Sequence, residues 1–286
     1  MAPIAAAKPF RVHITSFGVS PTHSGRRPTP TDLALQAFRQ IKDNPSYLAT
    51  KHLGGTTISQ APPNFSPTAP APTASAPADP TSACARPIEI TTECITVTYD
   101  YVNERVHALH GLAPAKADDP AYADVDLFLH VGVGRPGMVK LEKRGRRYGY
   151  IKTDAQENLA PVAGPEGHQR RGYVAPEWDG VADVGPDGEE LWTNVNAGVV
   201  RDWVASKGVE NIAESDDAGG CELLVATLRR ADRRFFAGLY LCEFILFGSL
   251  AAAKRAAKGG KEIPVQFLHI PYVRWIREAE RKLVPS

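Results

Sequence analysis

Asp124-Val-Asp-Leu-Phe-Leu-His-Val-Gly132 is the stretch of sequence that decides the fold. Its apolar run is rich in residues that favour β-structure, and a glycine ends it. A short, nearly continuous apolar run of this kind predicts a strand that is buried on both faces. Such strands are typical of a parallel sheet that helices cover on both sides.

Strand and helix patterns alternate along the rest of the chain. The predicted strands are 10–18, 87–91, 95–98, 139–143 and 264–270, and the predicted helices include 99–112, 197–204 and 239–257. A further short helix should start at Pro45, with Asn44 as its N-cap. This alternation predicts an α/β fold, a three-layer α/β/α sandwich around a mostly parallel twisted sheet.

The whole chain, 1–286, is expected to form one domain. Residues 54–87 are dominated by Pro, Ala, Ser and Thr, and a segment of this composition cannot bury enough apolar surface to offset its ordering entropy. We therefore expect a disordered surface loop there. A linker between two domains is the weaker alternative, because the segment before it is too small to fold alone.

Composition and charge exclude several classes of function. The chain has 33 Lys and Arg against 32 Asp and Glu, a net charge of +1, so no long-range field favours nucleic acid or an anionic membrane. We expect the Arg-rich stretches 144–147 and 229–234 to be solvated surface. The four cysteines form no CxxC pair, which argues against a zinc site.

The compartment is predicted from the same sequence. The first ten residues lack the basic region and apolar core of a signal peptide. The longest apolar stretch, near 239–253, is interrupted by Glu243 and is too short to span a bilayer. We therefore expect a cytoplasmic protein, and its assembly into a homo-oligomer stays open.

Three residues have the chemistry of a cysteine hydrolase. Cys242 lies near the start of a predicted helix, whose partial positive charge favours a thiolate. His269 lies near the end of a predicted strand and is the base that a thiol nucleophile needs. Glu142 ends another strand and is suited to orienting the imidazole. Each has an ordinary alternative: a packing cysteine, a core histidine and a solvated strand end.

A glycine-rich segment raises a different function. Gly132-Val-Gly-Arg-Pro-Gly137 superficially resembles a dinucleotide-binding loop. The proline inside it, and the strand rather than helix predicted after it, argue against that interpretation.

Several segments together resemble the signature of pyroglutamyl peptidase I, also called pyrrolidone-carboxylate peptidase. They are Asn44-Pro-Ser-Tyr47, Ile95-Thr-Val-Thr-Tyr-Asp-Tyr-Val102, His130-Val-Gly-Val, Leu141-Glu142-Lys-Arg-Gly with Gly149-Tyr150, Ser215-Asp-Asp-Ala-Gly219, Leu239-Tyr-Leu-Cys242-Glu-Phe-Ile and Phe267-Leu-His269-Ile-Pro271. The match covers most of the chain outside the loops, and the Tyr-Leu-Cys segment is the specific one. Fungal members of the family often carry a Pro-rich loop after the first helix, as this chain does.

This resemblance implies a cysteine-type omega-peptidase that removes pyroglutamate from the N-terminus of peptides through a thioester acyl-enzyme. Cys242 would be the nucleophile, His269 the general base and acid, and Glu142 the residue that orients the imidazole. Backbone amides near Gly18 or at the start of the Cys242 helix would hold the oxyanion.

The resemblance also implies a pocket for the neutral lactam ring of the substrate. Phe17, Gly18 and Phe38 are its candidate residues. No metal or cofactor is implied, and pyroglutamyl peptides are the expected partners.

The chain departs from the family pattern at three places. Insertions at 19–37 and 220–238 interrupt segments that the family keeps continuous, and the chain ends sooner after His269 than is usual. Both insertions are also compatible with non-coding sequence retained in frame, which sequencing of the transcript would test. A catalytically silent relative that binds peptides is therefore the alternative function. A phosphorylase-like enzyme rests on fold analogy alone, and the sequence offers no convincing phosphate site.

Overall fold

The structure is a computed structural model, and it describes part of the chain. The described residues are 8–18, 44–58, 86–112, 122, 124–134, 138–163, 170–174, 190–206, 208, 212–215, 239–257 and 260–271. The insertions predicted at 19–37 and 220–238 therefore lie outside the described residues.

Fifteen elements follow one another along these ranges. They are β1 (Phe10–Gly18), α1 (Pro45–Thr50), β2 (Thr56–Ile58), β3 (Ile88–Thr96), α2 (Tyr99–Leu109), β4 (Leu127–Gly134), β5 (Val139–Glu142), β6 (Arg144–Arg146), β7 (Val162–Ala163), β8 (Arg170–Arg171), β9 (Glu190–Trp192), α3 (Ala197–Ser206), β10 (Ile212–Ser215), α4 (Leu241–Ala257) and β11 (Val265–Pro271).

Seven of the described strands form the central sheet, in the order β10-β5-β11-β4-β1-β3-β2. The pairings β1–β3, β1–β4, β4–β11 and β5–β10 are parallel. The pairings β2–β3 and β5–β11 are antiparallel. The mostly parallel sheet predicted from the sequence is confirmed, with β5 reversing the direction beside β11.

Alternation along the strands separates the two faces of the sheet. Phe128 and Phe267 join α2 and α4 in the larger apolar cluster. Ile14, Ile90 and Val131 form a smaller cluster on the opposite face, where Leu53 just after α1 packs against them. Helical layers on both faces give the three-layer sandwich that the sequence predicts.

Local structure agrees with the sequence at α1 and differs from it at two strands. Asn44 caps α1 as predicted, since its side chain accepts a hydrogen bond of 2.9 Å from the backbone N–H of Ser46. The strands predicted at 87–91 and 95–98 are one strand, β3, because its whole length pairs with β1.

The prediction of a loop from residue 54 onward is wrong at its first residues. Thr56–Ile58 forms strand β2, which pairs with β3 at the edge of the sheet. These residues are β-branched, so they suit a strand even though the segment that follows does not. Residues 59–85 lie outside the described part of the chain.

Candidate active site

Glu142 and His269 are in contact in the buried part of the site. Oε1 of Glu142 lies 2.9 Å from Nε2 of His269, and their side chains are 1% and 7% exposed. Nζ of Lys140 lies 3.4 Å from the same carboxylate oxygen. On the other side of the imidazole, Nδ1 is 3.4 Å from the backbone carbonyl oxygen of Val133. A carboxylate oxygen therefore lies beside Nε2 of the imidazole, and a carbonyl oxygen lies beside Nδ1.

Antiparallel pairing brings Glu142 to this histidine. Glu142 is opposite Phe267 in the β5–β11 register, and Lys140 is opposite His269. Opposite residues share a face of the sheet, so Glu142 is a diagonal neighbour of His269. His269 lies near the carboxyl end of β11, and Glu142 lies at the end of a strand that runs in the opposite direction. Glu142 reaches the site because β5 runs against β11.

Two glycines on β4 clear the space around the imidazole. Gly132 is the register partner of His269, and a methyl group built on Gly132 would lie 3.1 Å from Cys242 Sγ and 2.6 Å from the Phe267 ring. A methyl group on Gly134 would lie 2.8 Å from the Cβ of His269. Only glycine fits such close approaches. Cys242 and His269 therefore lie against the same part of β4, Gly132–Gly134, which we call the glycine strip.

Burial is the main influence on the pKa of the Cys242 thiol. Cys242 is the second residue of α4, as the sequence predicts for a residue near a helix start. Burial raises the pKa of its thiol to about 12, and the Glu142 carboxylate acts in the same direction. Its own backbone N–H and the charge of Lys152 lower the pKa, but they do not offset the burial. Burial and the carboxylate thus favour the protonated thiol, whereas the helix start favours the thiolate.

Glu243 fixes the start of α4. Its buried carboxylate accepts hydrogen bonds from Nε of Arg146 at 2.6 Å and from the backbone N–H of Leu239 at 3.0 Å. Leu239 has a φ of +57°, a backbone conformation that non-glycine residues rarely adopt. The carboxylate thus holds the turn before Cys242 against strand β6.

The predicted substrate-binding residues are placed as follows. Phe17 is buried, and its ring centroid is 6.4 Å from that of Phe267, which borders the strip at Gly132. Gly18 lies against Cys94, whose Sγ would be 2.2 Å from a methyl group on this glycine. Phe38 lies outside the described residues. The role of these residues in binding a substrate stays a prediction.

Sequence reasoning missed several residues that surround the proposed nucleophile. In the sequence Gly132 ends a buried strand, but its partner across the sheet is visible only in the β4–β11 register. Lys152 carries no motif of its own. Glu243 does stand immediately after Cys242 in an otherwise apolar helix, and that isolated carboxylate was the available signal.

A metal site and a membrane-spanning helix are two further features to consider in the described residues. In the described ranges, no group of three or more His, Cys, Asp or Glu residues is arranged to hold a metal ion. Among the helices of the described residues, none combines the length and apolarity needed to cross a bilayer.

Solved structures with the same fold are peptidases. The chain matches pyroglutamyl peptidase I from Bacillus amyloliquefaciens with a TM-score of 0.52 and 15% identity, covering 97% of this chain and 86% of that one. It matches a mutant pyrrolidone carboxyl peptidase from P. furiosus with a TM-score of 0.50 and 12% identity, covering 97% and 88%. No protein-family model and no curated protein matches the chain. The resemblance seen in the sequence is thus confirmed at the level of the fold.

Proposed function

We propose that this chain, which has the fold of pyroglutamyl peptidase I, is a cysteine-type omega-peptidase that removes N-terminal pyroglutamate from peptides. The observation that carries the proposal is the 2.9 Å pair between Glu142 and His269, set beside the glycine strip against which the Cys242 sulfur lies. A buried carboxylate, an imidazole and a thiol in this order are the parts of a cysteine hydrolase.

Proton transfer is the first step of the proposed reaction. Because the thiol of Cys242 has a pKa of about 12, it has to lose its proton to His269 as the sulfur attacks the pyroglutamyl carbonyl. In the neutral imidazole one ring nitrogen carries no hydrogen, and that nitrogen accepts this proton. The resulting imidazolium has an acceptor at each nitrogen, the Glu142 carboxylate and the Val133 carbonyl oxygen. These acceptors favour the transfer.

The rest of the cycle follows from the same groups. The imidazolium returns its proton to the leaving amine, so the peptide departs and a thioester on Cys242 remains. Water, activated by His269, then hydrolyses the thioester and releases free pyroglutamate. The backbone N–H of Cys242 at the start of α4 is a suitable donor to the oxyanion.

The direct test is release of a fluorophore from a pyroglutamyl amide. Cys242→Ala should abolish turnover, because it removes the proposed sulfur nucleophile. Cys94→Ala is the matched control, since Cys94 is also a free thiol but lies on β3. Turnover that persists in Cys242→Ala, or mass spectrometry that places the acyl group elsewhere, would refute the assigned nucleophile.

A second candidate function is peptide binding without turnover. The observation that favours it is the raised pKa of Cys242, since a thiol that stays protonated is a poor nucleophile. A silent relative would bind pyroglutamyl peptides tightly in calorimetry and release no product. Robust hydrolysis by the purified protein eliminates this candidate.

A further inference from the structure

Glu243 is a buried acidic residue in an otherwise apolar stretch of α4. It follows the proposed nucleophile directly, and its side chain is 1% exposed. Burial is the main cause of the raised pKa of the Cys242 thiol, and the carboxylates of Glu142 and Glu243 add to it. A buried charge is costly unless it is paired, and this one also disfavours the thiolate. Its place beside the nucleophile therefore indicates a role other than activation of the sulfur.

Arg146 on β6 is the partner of this carboxylate. Nε and Nη2 of Arg146 lie 2.6 and 3.2 Å from the two carboxylate oxygens, and its backbone N–H donates to Oε1 at 3.1 Å. Arg146 is held in turn, because the Tyr150 hydroxyl donates a hydrogen bond to its backbone carbonyl oxygen. Tyr150 is completely buried in the larger apolar cluster. Three hydrogen bonds therefore fix Glu243 to a residue that is itself anchored in the core.

A glycine lets β6 approach α4 closely at the same place. A methyl group built on Gly145 would lie 2.7 Å from the backbone nitrogen of Phe247. A larger residue at 145 would therefore displace α4 from β6. Phe247 is four residues after Glu243, and residues at this spacing share a face of a helix. One face of α4 thus contacts β6 through the backbone at Phe247 and through the carboxylate at Glu243.

The same carboxylate fixes the turn that leads into α4. Oε2 accepts a hydrogen bond of 3.0 Å from the backbone N–H of Leu239, which has a φ of +57°. The N–H of Phe244 donates to the carbonyl oxygen of Tyr240, so Tyr240 is the N-cap and Glu243 is the third helical residue. Glutamate at this position commonly bonds back to the N-cap N–H, and here the bond reaches one residue further. The carboxylate thus stabilises one conformation of the turn.

The first turn of α4 holds a donor that the proposed reaction needs. Backbone N–H groups in the first turn of a helix have no carbonyl partner within that helix. Against the effect of burial, the N–H of Cys242 lowers the pKa of its own thiol, so it favours negative charge at the sulfur. When the sulfur attacks, negative charge develops on the adjacent carbonyl oxygen. A donor stabilises that charge only if it is aimed at the position of the oxyanion.

We propose that Glu243 is a positioning residue for the peptidase reaction: its carboxylate, held by Arg146, fixes the first turn of α4 so that the N–H of Cys242 points at the developing oxyanion. The inference rests on the proposed function. An oxyanion donor acts in the transition state more than on the bound substrate, so its misplacement should lower kcat and leave KM nearly unchanged. A shift of about 1 Å at a reacting group can cost about 100-fold in rate.

Two variants separate geometry from charge. Glu243→Asp keeps the charge, but its side chain is shorter and does not span Arg146 and Leu239 as glutamate does. Glu243→Gln keeps the length and removes the charge. Fluorophore release from a pyroglutamyl amide should show that Glu243→Asp lowers kcat roughly 10- to 100-fold, with KM within about twofold of wild type. Glu262→Gln is the control and should keep the wild-type kcat, because it breaks an exposed pair with Lys254 near the other end of α4.

Alkylation of Cys242 by iodoacetamide is a readout that a merely structural role would not move in the same way. In Glu243→Gln the thiol should react faster than in wild type, because a carboxylate that adds to the effect of burial on its pKa is gone, and kcat should nevertheless fall. In Glu243→Asp the rate of alkylation should stay within about twofold of wild type. A wild-type kcat in Glu243→Asp, or a kcat that rises with alkylation in Glu243→Gln, overturns the proposal.

Two inhibitors give a ratio that does not depend on the folded fraction. The Cys242 sulfur adds to the carbonyl carbon of a pyroglutamyl aldehyde, and the thiol proton passes to the carbonyl oxygen, which then occupies the position of the oxyanion. 2-Pyrrolidone is the lactam ring without that reacting group. In Glu243→Asp the inhibition constant of the aldehyde should rise roughly tenfold or more relative to that of 2-pyrrolidone. An unchanged ratio overturns the proposal. Arg146→Lys, at a partly exposed position, should raise the ratio in the same direction even if the Glu243 variants do not fold.

Failure of the proposed function can be told apart from failure of this inference. If the wild-type chain cleaves no pyroglutamyl amide, hydrogen exchange of the backbone amides at 239–244 measures the position without turnover. Exchange should be roughly three- to tenfold faster in Glu243→Asp, the effect of one lost hydrogen bond, and unchanged in Glu262→Gln. That result supports the positioning of the first turn without peptidase chemistry. Equal exchange in Glu243→Asp and wild type refutes it.

Discussion

Replacing Gly132 by alanine tests the geometry of the proposed active site most directly. The added methyl group would lie 2.6 Å from the Phe267 ring and 3.1 Å from Cys242 Sγ. Comfortable carbon contacts need about 3.5 Å or more. The ring therefore has to move by roughly 1 Å and the sulfur by roughly 0.5 Å.

The expected loss of activity follows from these shifts. A displacement of about 1 Å at a reacting group can cost about 100-fold in rate, so we expect kcat/KM to fall roughly 10- to 100-fold. Overpacking of the same contact should cost about 1–3 kcal/mol of stability. The assay is fluorophore release from a pyroglutamyl amide, together with urea unfolding.

Gly248→Ala is the matched control. Its methyl group would lie 2.4 Å from the ring of Tyr173. The substitution therefore overpacks α4, the helix that carries Cys242, at a position away from the thiol. We expect a similar loss of stability with a much smaller loss of kcat/KM. The reasoning is refuted if Gly132→Ala folds and retains full kcat/KM, or if the two variants lose activity equally.

Three further predictions concern charge. Glu142→Gln should lower kcat/KM by about 100-fold or more, because the imidazole loses the group that orients it. Iodoacetamide should nevertheless alkylate Cys242 faster in this variant, because the carboxylate that raises the pKa of the thiol is gone. In the wild-type protein, alkylation of Cys242 should accelerate about tenfold per pH unit from pH 7 to 10, because its pKa of about 12 lies above that range. Burial lowers the pKa of His110 and His130 to about 3, so the unfolded state takes up protons first. The free energy of unfolding should therefore fall by about 3 kcal/mol from pH 6.5 to 5.

Each of these predictions has an outcome that contradicts it. Unchanged or slower alkylation of Cys242 in Glu142→Gln would mean that the carboxylate does not act on the thiol. A rate of alkylation that levels off below pH 8 would reveal a preformed thiolate–imidazolium pair. Urea unfolding that gives the same free energy at both pH values would exclude the buried neutral histidines, and His130→Gln should remove about half of the slope.

The sequence was informative wherever a local pattern has one structural solution. The strand at 10–18 has the predicted bounds, and Asn44 with Pro45 starts α1 as predicted. The prediction of two strands in place of β3 was wrong. Thr92 and Glu93 have a weak strand pattern of their own, but they pair with β1 and so continue the strand. Cross-strand pairing thus overrode local propensity there.

The sequence by itself determined the alternation of strands and helices, and with it the layered α/β architecture and the identities of Cys242, His269 and Glu142 as candidates. The tertiary structure alone decided how Glu142 meets His269. Glu142 reaches His269 because β5 runs antiparallel to β11, and Gly132 makes room for the sulfur from a third strand. Strand direction and register depend on contacts between segments far apart in the chain, so periodicity within one segment carries no information about them.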